Sequence, residues 1–391
     1  MQLIAEIQSA QEELSSWRRD LHAHPELAFE ESRTAEFVAE KLTSWGIQVT
    51  RGVGNTGVVG SLTVGDAKQF IGVRADMDAL PMEEANTFAH RSRHPGKMHG
   101  CGHDGHTVML LAAARYLAQS RRFNGTVQFI FQPAEEANEA GSGAKAMLDD
   151  GLFERFPMDS VYALHNGPGI DTGTVLAIPG SIGAAMDLFE VTITGLGAHS
   201  AAPHTSTDNL LVSAQLLSAW QSIVSRNIDP TQSAVVSATS IQSGDSWNVL
   251  PETVRIRGSI RSLSSEVQQK IKMRFHQLTL QIAEAFDAKV HIHYEHTMPV
   301  LSNDPNCTAV FSEVAKSVVG EENVLDFSPQ PGMGSEDFAY LSQIKPGCYF
   351  ILGNGEGEGG CLLHQPNYDF NDEIIPIGAS LFVRLAEHIL V

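Results

Sequence analysis

Cysteine is scarce in this chain and poorly spaced for a structural role. Four occur in 391 residues, at Cys101, Cys307, Cys348 and Cys361, with no Cys-x-x-Cys pair. That excludes a disulfide framework and a structural zinc knuckle. Long apolar runs are missing too: none approaches the roughly 18 residues that span a bilayer. Glu6, Glu12 and Glu13 interrupt the apolar core that a signal peptide needs, so the cytoplasm is the expected compartment. Positive charge is short as well. Lys and Arg number 26 against 46 Asp and Glu, a net charge of -20 at pH 7, and no local basic patch offsets it. A phosphate backbone or an anionic bilayer is repelled by such a chain, which excludes nucleic-acid and membrane partners and leaves a small-molecule substrate. Internal repeats and low-complexity tracts are also absent.

What is present is length and apolar content. A chain of 391 residues exceeds what one hydrophobic core usually serves, and 42% apolar residues supply two. The first half alternates helix-like and strand-like stretches. Phe37 to Trp45 has helical spacing and stops at Gly46, and Ile47–Thr50, Gly57–Val64 and Phe70–Arg74 read as strands. Thr107–Leu117 predicts a buried helix, and Thr126–Phe131 and Ser160–Leu164 predict further strands. This alternation predicts an α/β fold. Between about Asp187 and Thr297 the order becomes strand (Leu188–Thr194), helix (Asp208–Val224), strand (Ala234–Ile241), strand (Thr253–Arg261), helix (Ser264–Phe286), strand (Lys289–Tyr294). That βαββαβ series is a ferredoxin-like unit inserted into the first domain. The expected division is residues 1–186 with 298–391 for the larger domain and 187–297 for the insert. A helix near Cys307–Val319, a strand at Cys348–Leu352 and a closing helix at Ile377–Ile389 complete the chain, with a mobile loop expected at Gly353–Gly360.

The chemistry concentrates in two places. Met98 to Asp104 reads Met-His-Gly-Cys-Gly-His-Asp, and Gln132 to Glu136 reads Gln-Pro-Ala-Glu-Glu. Cys101 and His103 are two apart between glycines, so in an extended or turn segment both side chains can face one way. An isolated Cys-x-His is more often a buried cysteine beside surface histidines. His99, Cys101, His103, Asp104 and His106 within eight residues outweigh that reading in favour of a metal. Glu135 and Glu136 follow an apolar strand, at the carboxyl end where ligand sites of open α/β sheets gather. Adjacent acids are usually a solvated loop, but here one could coordinate an ion while the other holds a proton. His165 also ends a strand, and His364 has less local support.

Three other patterns are rejected. Gly52-Val-Gly54-Asn-Thr-Gly57 has dinucleotide-fingerprint spacing but is followed by a strand, so no helix N-terminus is available for a pyrophosphate and the segment reads as a turn. His199, Ser200 and Asp208 lack the Gly-x-Ser-x-Gly elbow of a serine hydrolase. His291, His293 and His296 read as a polar strand face.

The ordered series His24-Pro-Glu26, Arg74-Ala-Asp76-Met-Asp78, His99-Gly-Cys101-Gly-His103-Asp104, Ala134-Glu135-Glu136, Gly197-Ala-His199-Ser200, Asn248-Val-Leu-Pro-Glu252 and Gly334-Ser-Glu336-Asp337 resembles the M20 family of metallopeptidases. Its cysteine-containing motif is similar to the aminoacylase-like branch of hippurate hydrolases, N-acyl-amino-acid amidohydrolases and auxin-conjugate hydrolases. The resemblance implies a mixed-sheet, zinc-peptidase-like catalytic domain with an inserted ferredoxin-like satellite domain, one often used for dimerisation and for closing over substrate. It implies two divalent ions, zinc, manganese, cobalt or nickel, held by Cys101, His103, Glu136, His165 and His364, with Glu135 as general base. His199, Asn248 and Arg261 occupy positions that resemble the family's substrate or oxyanion contacts. The implied reaction is hydrolysis of an N-acyl amino acid; a dipeptidase, a deacetylase of an N-acetylated diamino acid and a non-catalytic metal-binding scaffold are the alternatives.

Overall fold

The computed structural model describes residues 1–137, 141–328, 332–356 and 362–391. Cys361 and the second half of the glycine-rich stretch lie outside the described residues; Gly353–Gly355, expected in a loop, instead close the strand Gly347–Gly355. The chain divides into two compact units, Met1–Gly180 with Ser302–Gln330 and Tyr340–Val391, and Ser181–Leu301 with Pro331–Ala339.

The first unit is built on an eight-stranded mixed sheet, ordered Gln48–Val53, Gly57–Val64, Gly125–Gln132, Phe70–Asp76, Ser160–Pro168, Gly347–Gly355, Val175–Leu176 and Val324–Leu325. The four strands from Gly125–Gln132 to Gly347–Gly355 run parallel to one another. Parallel strands covered on both faces carry near-continuous apolar sequence, and Gly125–Gln132 is buried at every position. The helix His103–Ser120 is also buried almost all round and packs against Ile375–Ile389, as a helix apolar on every face must. It starts four residues earlier than its apolar run, because buried His103, Asp104 and His106 occupy its first turn. Gly105 in that turn has a packing reason: a Cβ there would collide with the Phe370 ring.

In the second unit, the antiparallel sheet is ordered Ala234–Ser243, Thr253–Ser262, Ala185–Thr194, Lys289–Met298. Val254, Ile256, Gly258 and Ile260 of the second strand are buried at two-residue spacing, and Val254, Ile256 and Ile260 join Phe189, Trp220 and Phe275 in this unit's own core. Its helices Asn209–Asn227 and Ser265–Ala285 begin at side-chain caps, Asp208 and Ser264. The turn at Gly54 and Asn55 joins two antiparallel strands. Among the described residues no helix is long and apolar enough to cross a membrane.

Gly105→Ala is expected to cost about 1–3 kcal/mol through overpacking against Phe370, read by urea unfolding. In a Phe370→Leu background the loss should shrink, since the two sites share one contact; equal losses in both backgrounds would assign the cost elsewhere.

Candidate metal centre

The carboxyl ends of the parallel strands deliver the polar residues. Phe70–Asp76 ends in Asp76, with Asp78 two residues on. Ser160–Pro168 carries His165 and Asn166 near its end. Gly125–Gln132 leads through Pro133 and Ala134, the latter at φ 52°, into Glu135 and Glu136. The Glu136 amide donates to Asp78 Oδ2 at 2.9 Å. Buried Glu31 accepts from the Ala134 amide at 2.8 Å and so braces that turn. Gly102, at φ 100°, turns the chain between Cys101 and His103, which opens the helix. The two side chains therefore converge through a left-handed turn into a helix, with no extended alternation between them. His364, also at positive φ, donates its amide to Gly100 O at 2.8 Å.

Ligand-type atoms converge in three overlapping groups, each within 4.8 Å of one another: Cys101, His103 and His165; Cys101, Glu136 and His364; His103, Glu135 and Glu136. All six residues belong to the first unit. Cys101, His103 and His165 are buried; the His364 side chain is 53% exposed and lies 3.0 Å from Glu136 Oε1. His165 Nε2 is 3.4 Å from Cys101 Sγ. A fourth group, Asp76, His103 and His106, lies alongside.

Backbone carbonyls fix the two buried imidazoles. His103 Nδ1 is 2.9 Å from Asp78 O, and His165 Nδ1 is 2.8 Å from Asn166 O. A carbonyl oxygen only accepts, so each Nδ1 donates and each Nε2 is left for the centre. His103 Nε2 has no hydrogen-bond partner among the described residues. A buried nitrogen so placed, beside a thiol and carboxylates, fits a divalent cation of borderline softness.

The electrostatics agree. Burial, followed by the charges of Glu136, Glu135 and Asp76, pushes the Cys101 thiol well above its usual range. Burial disfavours charge on His103, yet Asp76, Asp78 and Glu136 outweigh it and raise its pKa to about 10. Burial, then His106, holds His165 well below the usual histidine value. The Glu136 hydrogen bond raises His364 against a smaller cost of burial. A site that pulls an extra proton onto His103 attracts a cation for the same reason, and metal binding displaces such protons.

Behind the centre lies a buried ionic knot. Arg18 reaches Asp372 at 2.6 Å and Asp369 at 2.9 Å, and His22 lies between Asp104 at 2.8 Å and Glu84 at 3.2 Å. His99 is buried beside His22 but outside the ligand groups.

The remaining candidates sit in the second unit. His199 and Asn248 are neighbours across a short ribbon, where Ala198–His199 pairs with Val249–Leu250 and the Ser200 amide donates to Asn248 O at 2.9 Å. Arg261 donates to Met333 O at 2.9 Å and Ser335 Oγ at 3.0 Å. Sequence reasoning counts His106 in the metal-like cluster but assigns no individual role to it, nor to Asp76, Asp78, Asn166 or Tyr368. The acids at i and i+2 where an apolar strand ends, and a histidine one turn after His103, were the available signals.

The chain belongs to Peptidase family M20/M25/M40, whose model matches residues 72–388, and it is an enzyme that hydrolyses amide bonds. It is 41% identical to a hippurate hydrolase of Campylobacter jejuni over 99% of both chains. It is 39% identical to an N-acetyl-L-cysteine deacetylase of Bacillus subtilis, over 96% of this chain and 88% of the relative. A crystal structure from Bacillus subtilis described as a dinuclear metal binding peptidase from the M20 family superposes with TM-score 0.85 at 30% identity, covering 98% of this chain and 99% of that one.

The knot makes a pH prediction. Burial disfavours charge on His22, but the hydrogen bonds to Asp104 and Glu84 outweigh it and raise its pKa to about 9. The stability that the charged ring contributes is complete below the unfolded value of about 6.5 and is lost as pH rises through about 9. His22→Gln should flatten the fall in unfolding free energy across that window; an unaltered slope would place the titration elsewhere.

Proposed function

We propose that this protein hydrolyses the amide bond of N-acyl amino acids, with acetyl, benzoyl or arylacetyl acyl groups, using two divalent ions. The observation that carries the reading is the connected set of Cys101, His103, Glu136, His165 and His364 with Glu135 at its edge; the hippurate hydrolase and N-acetylcysteine deacetylase relatives support the substrate class. Cys101, His103, Glu136, His165 and His364 would hold the ions, and zinc, manganese, cobalt and nickel all suit such donors. Divalent ions bound there supply Lewis-acid polarisation of the carbonyl and activation of water.

The chain's own residues do the rest. Glu135 takes the proton of the attacking water and delivers it to the departing amine nitrogen, a general base that becomes a general acid. Asp78 and the Asn166 carbonyl keep His103 and His165 in the tautomer that presents Nε2. His199 stabilises the developing oxyanion, and Asn248 and Arg261 receive the substrate carboxylate. Self-association through the second unit and a cytoplasmic location belong to the same reading.

The test of function is a metal-reconstituted screen of acetyl-, benzoyl- and indoleacetyl-amino acids against dipeptides. N-acyl amino acids should be cleaved with the higher kcat/KM and chelation should abolish turnover; preference for dipeptides would replace the reading with a dipeptidase.

Glu135→Gln is expected to lower kcat by about 100-fold or more while elemental analysis finds the ions retained. Glu136→Gln should lose ion affinity first. The reverse pattern would exchange the two roles.

Arg261→Ala should impair free-acid substrates far more than the matching carboxamides, whereas His199→Ala should slow both. Equal losses for Arg261→Ala, measured as kcat/KM on such a pair, would leave its bonds to Met333 and Ser335 as its whole role.

A further inference from the structure

We infer that Asn166 is a positioning residue that locks His165 to the Cys101-Gly102-His103 turn, acting with His106 and Tyr368. The inference rests on the ligand set proposed above. Asn166 is buried and directly follows His165, whose Nδ1 its carbonyl receives. Its amide group lies 2.8 Å from His106 Nε2 on one side and 2.6 Å from the Tyr368 hydroxyl on the other. It also abuts Gly102, where a Cβ would collide with both the Asn166 amide and the Tyr368 hydroxyl. One residue thus touches the strand that carries His165 and the turn that carries the other two buried ligands.

The direction of the hydrogen bonds follows from the one donor that cannot rotate. The Asn166 backbone N–H points at His106 Nε2 at 3.0 Å, so that nitrogen accepts. The ring proton therefore sits on Nδ1, which faces Asp76 Oδ1 at 2.6 Å. The structure sets Asn166 Oδ1 against Nε2 and Nδ2 against the Tyr368 hydroxyl; because Nε2 accepts, the amide is taken half-turned, with NH2 toward Nε2 and oxygen toward Tyr368. In that orientation every bond runs one way: Tyr368 donates to Asn166, Asn166 to His106, and His106 to Asp76. Asp76 also receives Arg74 at 2.7 Å, and Arg74 donates to Gln132, the strand residue that precedes the turn to Glu135. The chain joins the ends of three parallel strands behind the ligands without supplying a ligand of the proposed set. Groups that orient metal ligands in this way typically change affinity or activity by 10–100-fold when removed.

Two variants test it. Asn166→Asp is nearly isosteric but sets an oxygen against the lone pair of His106, and Tyr368→Phe removes one hydroxyl. Each protein is loaded with cobalt(II) alone. Cobalt affinity is measured by competition with a chelating dye, and the thiolate-to-cobalt absorption reports Cys101. The expected result is a loss of affinity of about 10–100-fold for Asn166→Asp, a smaller loss for Tyr368→Phe, and a displaced thiolate band in both. Parental affinity and an unmoved band, even with a lowered melting temperature, would overturn the inference, because a merely structural role would move only the melting. If Asn166→Asp does not fold, the Tyr368→Phe result decides alone. Absence of any thiolate band in the unaltered protein would overturn the ligand set itself and this inference with it, whereas failure to cleave N-acyl amino acids would bear only on the substrate.

Discussion

Negative charge withdrawn from water is the constraint around which the first unit is arranged. Asp76 and Asp78 are fully buried, Glu135 and Glu136 are partly so, and Cys101 would join them if it ionised. Like charges gathered in a low-dielectric interior repel strongly and need compensation nearby. His103 and Arg74 supply part of it to Asp76, holding its carboxyl well below the usual range despite the opposing effect of burial. Around Asp104, the His22 and Arg18 side chains supply it elsewhere, again against burial. At the point where Cys101, Glu136, His103 and His165 meet, the extra proton drawn onto His103 offsets part of the negative charge, and a bound metal ion would displace it. The parallel strand ends, the left-handed turns at Gly102 and Ala134, and the carbonyls that orient the imidazoles all converge on that point.

Much of the fold was legible because its elements keep their period. The strand read at Thr253–Arg261 extends over Thr253–Ser262, and the helix starts read at Asp208 and Ser264 are side-chain caps. The start of the helix at His103 was hidden because its first turn holds buried polar residues, which break the apolar pattern that marks a helix. Val175–Leu176 and Val324–Leu325 were hidden for a different reason. Two residues carry no periodicity, and these pair only because a neighbouring strand passes.

The site was legible in proportion to how local its chemistry is. Cys101 and His103 stand two apart, and Glu135 and Glu136 are adjacent, so sequence alone draws attention to them. His165, marked in sequence by its place at a strand end, joins them through strand order, and His364, with less local support, through a hydrogen bond from its amide to Gly100 O. Asn166 and Tyr368 are 202 positions apart in the chain and meet only after the sheet forms. The second unit illustrates the same boundary, since its alternating strands announce a self-sufficient core while the hydrogen bonds of Arg261 to Met333 and Ser335 depend on a return of the chain some seventy residues later.

The burial of Cys101 bears on how such a centre survives before it is filled. Oxidants and alkylating reagents attack the thiolate, and they need access to it. Cys101 is 7% exposed, and its surroundings hold the proton on sulfur. Burial and a retained proton both disfavour sulfenic acid formation and exchange with small disulfides at this sulfur. With Cys101 in the proposed ligand set, arrival of a cation is what would release that proton.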